Sequence, residues 1–191
     1  MKLPSLPANA KTRSRSGKLF SRFRKNKDGT TAIEFAMVAT PFLAMMFGIF
    51  GLGFFFFTTF TLENAVEQAG RLIRTGQVDE LNMSEANFKT KVCERLPVFV
   101  DCTQNLRVFV QSFPDNAQNL NPLSCLANGD LTGASAYNPG ASDQIVLVTA
   151  CYKWELPAKL PFLDLGNMGT SGDRLIQAVA TFRNEPYKAG P

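Results

Sequence analysis

The sequence predicts an α+β protein in which a long N-terminal transmembrane helix continues into a small, disulfide-stapled domain with an antiparallel sheet. Three observations favour this class: an uncharged apolar run from Phe35 to Leu62, β-rich segments confined to the C-terminal half, and four cysteines that all follow the run. Helix and sheet signals occupy separate parts of the chain, which is typical of α+β folds. We expect residues 1–29 to form a basic leader, 30–62 a membrane helix and 63–191 a folded domain.

The positive charge of the chain is concentrated before the apolar run. Residues 1–29 contain nine Lys and Arg side chains and one Asp, a net charge of +8, so the rest carries −4 of the total of +4. A basic tail by itself suggests nucleic acid binding. Here the basic residues stop directly before an apolar segment, which is the pattern of positive-inside membrane topology. We therefore expect a cytoplasmic leader, a domain on the other side of the membrane and no nucleic acid partner.

The apolar run is long enough to cross a bilayer. As a helix, Phe35–Leu62 spans ~42 Å, more than the ~30 Å of a hydrocarbon core. A secretory signal peptide has an apolar stretch of only ~7–15 residues, so we expect this helix to stay in the mature protein. Apolar residues at helical spacing extend it to about Thr75, where Gly76 is a plausible stop.

The region beyond the helix predicts one more helix and a sheet. Ser84 is a candidate N-cap for a helix that Pro97 ends after Leu96. The segment 114–142 is rich in Asn, Pro, Gly and Ser and reads as a long loop, and 156–172 also reads as irregular. The β-rich runs are Asn105–Phe113, Gln144–Leu156 and Asp173–Arg183.

Four cysteines predict two disulfides. An even count beyond a membrane span favours bridges, with three possible connectivities. A chain reversal at Pro97 would bring Cys93 to Cys102, so we prefer the pairs Cys93–Cys102 and Cys125–Cys151. Four buried free thiols in a cytosolic domain are one alternative. A Cys₄ metal site is another, but the chain has no Cys-x-x-Cys pair.

The chain contains no histidine. This excludes Ser-His-Asp and Cys-His catalysis and any zinc site with a His ligand. No pair of carboxylates stands out for acid–base chemistry either. We expect no catalytic residue, no metal, no cofactor and no enzymatic activity.

One carboxylate lies directly before the N-terminal end of the apolar run. Glu34 follows Gly29 by five residues, and an acidic side chain at a bilayer centre costs ~2.5–3.5 kcal/mol, which makes such a residue a functional candidate. The spacing Gly-x-x-x-x-Glu before an apolar helix resembles the processing site of type IV prepilins. The resemblance implies a cut between Gly29 and Thr30. It also implies that Glu34 and Phe35 set the register of assembly.

Several further segments carry a family resemblance: Lys27–Gly29, Thr31–Ala36, Leu62–Ala65, Ala69–Arg71 and Ala180–Tyr187. Together they resemble the TadE-like family, the minor pseudopilins of the tight-adherence (Flp) pilus system. The resemblance implies a bitopic bacterial inner-membrane protein with a periplasmic C-terminal domain. The implied partners are a prepilin peptidase, other pilins and minor pseudopilins that bind the N-terminal helix, and the inner-membrane assembly platform.

The resemblance implies a minor rather than a major pilin. Major Flp pilins have hardly any chain beyond the helix, whereas about 115 residues follow it here, the size of an ordinary domain. Thr30 departs from the Phe that usually follows the glycine in type IVa prepilins, which points to a peptidase of the tight-adherence type. The implied function is assembly or priming of an adhesion pilus. The alternative is an uncleaved single-pass anchor that presents a periplasmic binding domain in a secretion complex.

Overall fold

A computed structural model of the chain describes residues 29–113, 122–156, 166–169 and 172–187. Apart from Gly29, the expected basic leader therefore lies outside the described residues. Helices and antiparallel strands occupy separate regions, and the α+β class expected from the sequence is confirmed. In chain order the elements are α1 (Thr30–Arg74), α2 (Gln77–Glu80), α3 (Glu85–Cys93), α4 (Cys102–Asn105), β1 (Leu106–Phe113), β2 (Leu126–Ala127), β3 (Asp130–Leu131), β4 (Ile145–Trp154) and β5 (Arg174–Arg183).

The long helix α1 has the bounds that the sequence predicts to within one residue. It contains 45 residues, including Pro41. The described chain divides into two compact units, one that ends at Phe47 and one that begins at Gly48, so the division falls inside α1. In the second unit the C-terminal part of α1 is amphipathic, and its apolar stripe lies in the core of the domain. The core residues of this stripe are Leu62, Ala65, Val66, Ala69 and Ile73.

Gly76 ends α1 in the left-handed conformation, with φ at 75°. Its N–H donates to the carbonyl of Ile73 over 2.9 Å, which closes the last turn. A residue with a Cβ is strained in this conformation, which is why glycine is common just after a helix. The ring of Tyr187 adds a second restriction, since its Cγ lies 2.6 Å from where a Cβ would stand.

The segment after β5 closes the same end of α1. The N–H of Glu185 donates to the carbonyl of Arg74 over 2.9 Å, and the two side chains form an ion pair at 3.3 Å. The Tyr187 hydroxyl donates to Oδ2 of Asp79 over 3.0 Å. Burial and the Asp79 carboxylate raise the pKa of Tyr187 to about 12, so the phenol remains a neutral donor at physiological pH.

We expect Gly76→Ala to destabilise the domain. A left-handed backbone costs a residue with a Cβ ~1–2 kcal/mol, and displacing the Tyr187 ring adds a strain of ~1–3 kcal/mol. Urea unfolding of the full chain in detergent, followed by circular dichroism, measures the loss. Gly133→Ala is the matched control, because an added Cβ there has no atom within 4 Å. Equal unfolding midpoints for the two variants would show that the Gly76 contacts do not matter.

The helix α3 begins where the sequence predicts and ends earlier. Ser84 caps it, with its Oγ accepting a backbone N–H over 3.3 Å. The helix ends at Cys93 rather than Leu96, because the Leu96 N–H donates to the carbonyl of Cys93 over 3.0 Å, an i→i+3 bond. Pro97 disfavours helical backbone at the residue before it, which explains the tightened last turn.

The sheet has the strand order β1–β4–β5, and both pairings are antiparallel. Val148 at the middle of β4 lies opposite Val110 and Ala180. Every β4 residue from Val146 to Tyr152 is buried. One face of β4 packs in the core with α1 and α3. On the other face, Cys151 packs with Phe109 of β1 and with Cys125, which lies between β1 and β2. Burial on both faces explains why β4 reads as a continuous apolar run.

A small hairpin corrects the expected long loop at 114–142. The strands β2 and β3 pair Leu126 with Leu131 and Ala127 with Asp130. Asn128 and Gly129 connect them with φ angles of 54° and 83°. Asn-Gly is the strongest short hairpin signal because both residues tolerate positive φ. The expectation of a long loop overlooked this dipeptide, because the residues around it are also rich in loop formers. The part of the expected loop at 114–121 lies outside the described residues.

The structure contains two disulfides, and they join the cysteines preferred from the sequence. Cys93 and Cys102 lie 5.9 Å apart at Cα and connect α3 to α4. Cys125 and Cys151 lie 5.7 Å apart at Cα and attach the hairpin region to the central strand. Bridges of this kind typically stabilise a small domain by ~2–4 kcal/mol.

We expect the two bridges to differ in their accessibility to reductant. Cys151 and Cys125 are 0% and 5% exposed, whereas Cys93 and Cys102 are only partly buried. Thiol exchange requires access to the sulfur, so dithiothreitol without denaturant should open Cys93–Cys102 first. Alkylation with iodoacetamide and peptide mass spectrometry would show the order. Labelling of any cysteine before reductant is added would contradict the bridges themselves.

Candidate functional site

The candidate processing site lies at the start of α1. The carbonyl of Gly29 accepts the N–H of Ile33 over 3.1 Å. Gly29 is exposed, and a Cβ built on it has no atom within 4 Å. Its φ also lies outside the left-handed region. Neither packing nor backbone geometry in the described chain therefore requires a glycine at this position.

The two candidate assembly residues are exposed on the first turns of the helix. Phe35 is 74% exposed, and Glu34 is exposed as well. Among the described residues, no hydrogen bond or ion pair engages the Glu34 carboxylate. Both side chains are thus presented outward from the chain to which they belong.

Thr30 and Glu34 lie one helical turn apart on the same face of α1, ~6 Å along the axis. The first turn of α1 contains no acidic residue, so Glu34 is the first carboxylate after Gly29. A cut between Gly29 and Thr30 would create an α-amino group at the positive end of the helix dipole. The chemistry that this geometry allows is pairing between the Glu34 carboxylate and such an amine.

The helix that carries these residues has the properties of a membrane anchor. Among the described residues, α1 is the one helix that is long and apolar enough to cross a membrane. Only 6% of its most apolar 18-residue stretch is buried. An all-round apolar helix in the core of a soluble domain would be buried. Large exposed side chains line it on all sides: Ile33, Phe35, Met37, Val38, Phe42, Leu43, Met45, Phe47, Ile49, Phe50 and Leu52.

The remaining candidate chemistry is limited. Within residues 29–113, 122–156, 166–169 and 172–187, no group of three or more Cys, Asp or Glu side chains is placed to hold a metal ion.

The contacts of Glu185 and Tyr187 with the end of α1 were not expected, because no local pattern relates the two ends of a domain. The sequence drew attention to these residues only through the resemblance of Ala180–Tyr187 to the C-terminal ending of TadE-like proteins.

Comparison with known proteins identifies the same segment. The family model described as TadE-like protein matches residues 29–71, beginning at the glycine of the candidate processing site. No curated protein and no solved structure matches the chain. The resemblance at Ala180–Tyr187 lies beyond the matched residues and stays a prediction. The segment that contains Gly29, Glu34 and the apolar helix is therefore TadE-like, and the family resemblance expected from the sequence is confirmed there.

Proposed function

We propose that this protein is a minor pseudopilin, a structural subunit that assembles or primes a tight-adherence (Flp) pilus. A prepilin peptidase cuts the chain between Gly29 and Thr30 and removes the +8 leader. The mature chain remains in the bacterial inner membrane through α1, with its C-terminal domain in the periplasm, until it is incorporated. It has no enzymatic activity of its own and contributes to adhesion through the pilus.

The observation that carries this proposal is the pair Gly29 and Glu34 at the start of a TadE-like segment. The described chain requires neither a glycine at position 29 nor a carboxylate at position 34: an added Cβ at Gly29 meets nothing, and Glu34 is exposed at the N-terminal end of an apolar helix. A carboxylate there opposes membrane insertion. Residues that the fold does not need are best explained by partners outside the chain, here a peptidase and neighbouring pilins.

The folded domain supports a minor rather than a major subunit. The described core brings α1, α3 and three strands together, which is far more chain than a short major pilin carries. Its two bridges suit an exported location. The expected partners are the peptidase, other pilins that pack against the exposed face of α1, and the inner-membrane assembly platform.

The second candidate function is an uncleaved single-pass anchor that holds a periplasmic binding domain in a secretion complex. The exposed apolar helix supports this function equally well. Glu34 distinguishes the two, because an anchor that is never cut gains nothing from a carboxylate at this depth. The same is true of the glycine five residues before it.

N-terminal sequencing of membrane-extracted protein tests the proposal. Cells that contain the peptidase should yield a chain that begins at Thr30, and cells that lack it should yield the uncut chain. Residues before Thr30 in protein from both strains would favour the anchor. Immunogold labelling of sheared filaments then distinguishes a subunit of the filament from one that stays in the membrane.

A further inference from the structure

An exposed apolar loop lies between α3 and α4 in the second unit. Val98 is 105% exposed and Phe99 is 49% exposed, although the next residue, Val100, is buried in the core. Two adjacent apolar side chains directed away from a core differ from the isolated exposed residues that any surface contains. No motif identified these residues in the sequence.

The loop packs against the outer end of the apolar run. The Phe99 ring lies 4.9 Å from the ring of Phe54 and 6.1 Å from that of Phe57, centre to centre. Trp154 at the end of β4 lies 5.5 Å from Phe55. The loop between α3 and α4 and the end of β4 thus contact the same turn of α1 through aromatic rings.

A cation completes this cluster. The guanidinium of Arg174, the first residue of β5, lies 4.8 Å above the Phe55 ring. Aromatic rings and the apolar stem of an Arg side chain both suit the level where hydrocarbon meets head groups.

The length of the helix places this cluster at the membrane surface. A helix needs ~20 residues to cross the ~30 Å hydrocarbon core. A stretch of ~20 residues that begins at Phe35, the first residue after Glu34, ends at Phe54. The rings of Phe54, Phe55 and Phe57 therefore mark the outer boundary of the hydrocarbon, and Phe99 lies at the same level.

We propose that Val98 and Phe99 insert into the outer leaflet of the inner membrane and hold the domain on the lipid surface. The occupant of this apolar surface is phospholipid. It is continuous with the exposed side chain of Phe57 in the same unit, and Pro97 before it stiffens the loop. The Asp101 carboxylate stays in water, where it caps α4 by accepting the Thr103 N–H over 2.9 Å.

This inference rests on the membrane placement in the proposed function and does not depend on cleavage. Resting on lipid would hold the domain at one height above the bilayer, and extraction of the subunit into a filament would have to free the loop. Lipid contact at Val98 and Phe99 is therefore expected in the membrane-bound form of the chain.

Depth-dependent tryptophan quenching tests the contact. Trp154 is the single tryptophan, so Trp154→Phe supplies a background in which Val98→Trp, Phe50→Trp or Val179→Trp introduces one probe. Val179 is the matched control, since it is also an exposed valine, at 52%, and lies ~17 Å further along β5 than Arg174. The full chain is placed in vesicles of phosphatidylethanolamine and phosphatidylglycerol whose acyl chains carry bromine, either just below the head group or near the bilayer centre.

We expect Val98→Trp to lose several times more emission than Val179→Trp, and to lose more with shallow than with deep bromine. Phe50→Trp lies in the span, ~6 Å inside the boundary at Phe54, and should be quenched by both bromine positions. If Phe50→Trp is quenched and Val98→Trp behaves like Val179→Trp, the loop inference is wrong while the anchor stands. If Phe50→Trp is not quenched, the membrane placement itself is wrong. Should Trp154→Phe alter the circular dichroism spectrum, the same probes are compared in the Trp154 chain after its own signal is subtracted.

Discussion

Gly29→Val should leave the uncut chain as the form found in cells that contain the peptidase, and these cells should build no pili with this subunit. The branched side chain enlarges the residue on one side of the scissile bond. The uncut leader also holds the helix in place, because each Lys or Arg taken to a bilayer centre costs ~2.5–3.5 kcal/mol. Mass spectrometry of the membrane-extracted protein measures the first effect, and electron microscopy of sheared filaments the second.

The chain provides a matched control for this substitution. Gly53 lies in α1, the helix that begins directly after Gly29, and, like Gly29, has no atom within 4 Å of an added Cβ. Gly53→Val should be cut at the wild-type rate, which separates the effect at the bond from a general effect of valine in α1. If Gly29→Val protein begins at Thr30, the proposed site of cleavage is wrong.

Glu34→Gln should abolish pilus assembly while cleavage, membrane insertion and folding remain normal. The α-amino group that the proposed cleavage would create at Thr30 has a reference pKa of ~7.7–8.0 and would be largely protonated near neutral pH. It stands at the positive end of the α1 dipole, which makes an unpaired cation there unfavourable. In a low-dielectric setting, a carboxylate that meets this amine removes much of the cost of both charges.

The proposed pairing would also align neighbouring subunits. Glu34 is exposed, so the same carboxylate can accept from its own chain or from the amine of a neighbouring subunit. A contact between subunits forms only when their helices are in one register, and glutamine retains the shape of the side chain but not its charge. We therefore expect loss of crosslinking between partner pilins as well as loss of filaments, measured by crosslinking in membranes and by electron microscopy.

Two variants control for the position and the charge. Glu63 is an exposed carboxylate further along α1, and Glu63→Gln should assemble normally. Glu34→Asp retains the charge on a shorter side chain and should retain more assembly than Glu34→Gln. Wild-type levels of pili in Glu34→Gln cells would remove the assembly role of this residue and favour the uncleaved anchor.

Local patterns predicted the long helix and the strands well. The bounds of α1 follow from an unbroken helical pattern that ends at Gly76, and the three long strands lie within two residues of the β-rich runs. Each of these signals depends on residues a few positions apart. The hairpin at Asn128–Gly129 had an equally local signal but was concealed by a segment rich in loop-forming residues.

The candidate processing site was defined by the sequence alone. The spacing of Gly29 and Glu34 ahead of an apolar run is a linear pattern, and a peptidase or a neighbouring helix can bind it without the rest of the fold. The structure adds that the described residues require neither a glycine at 29 nor a carboxylate at 34, since both positions are exposed.

Tertiary structure decided which distant segments meet. Burial of β4 on both faces depends on its central place between β1 and β5, and strand order cannot be derived from the period of side chains along one strand. The same holds for Tyr187 against Gly76 and for Phe99 against Phe54, pairs that are far apart in the chain. Such contacts form because the whole domain buries its apolar surface together, so no single segment contains the information that specifies them.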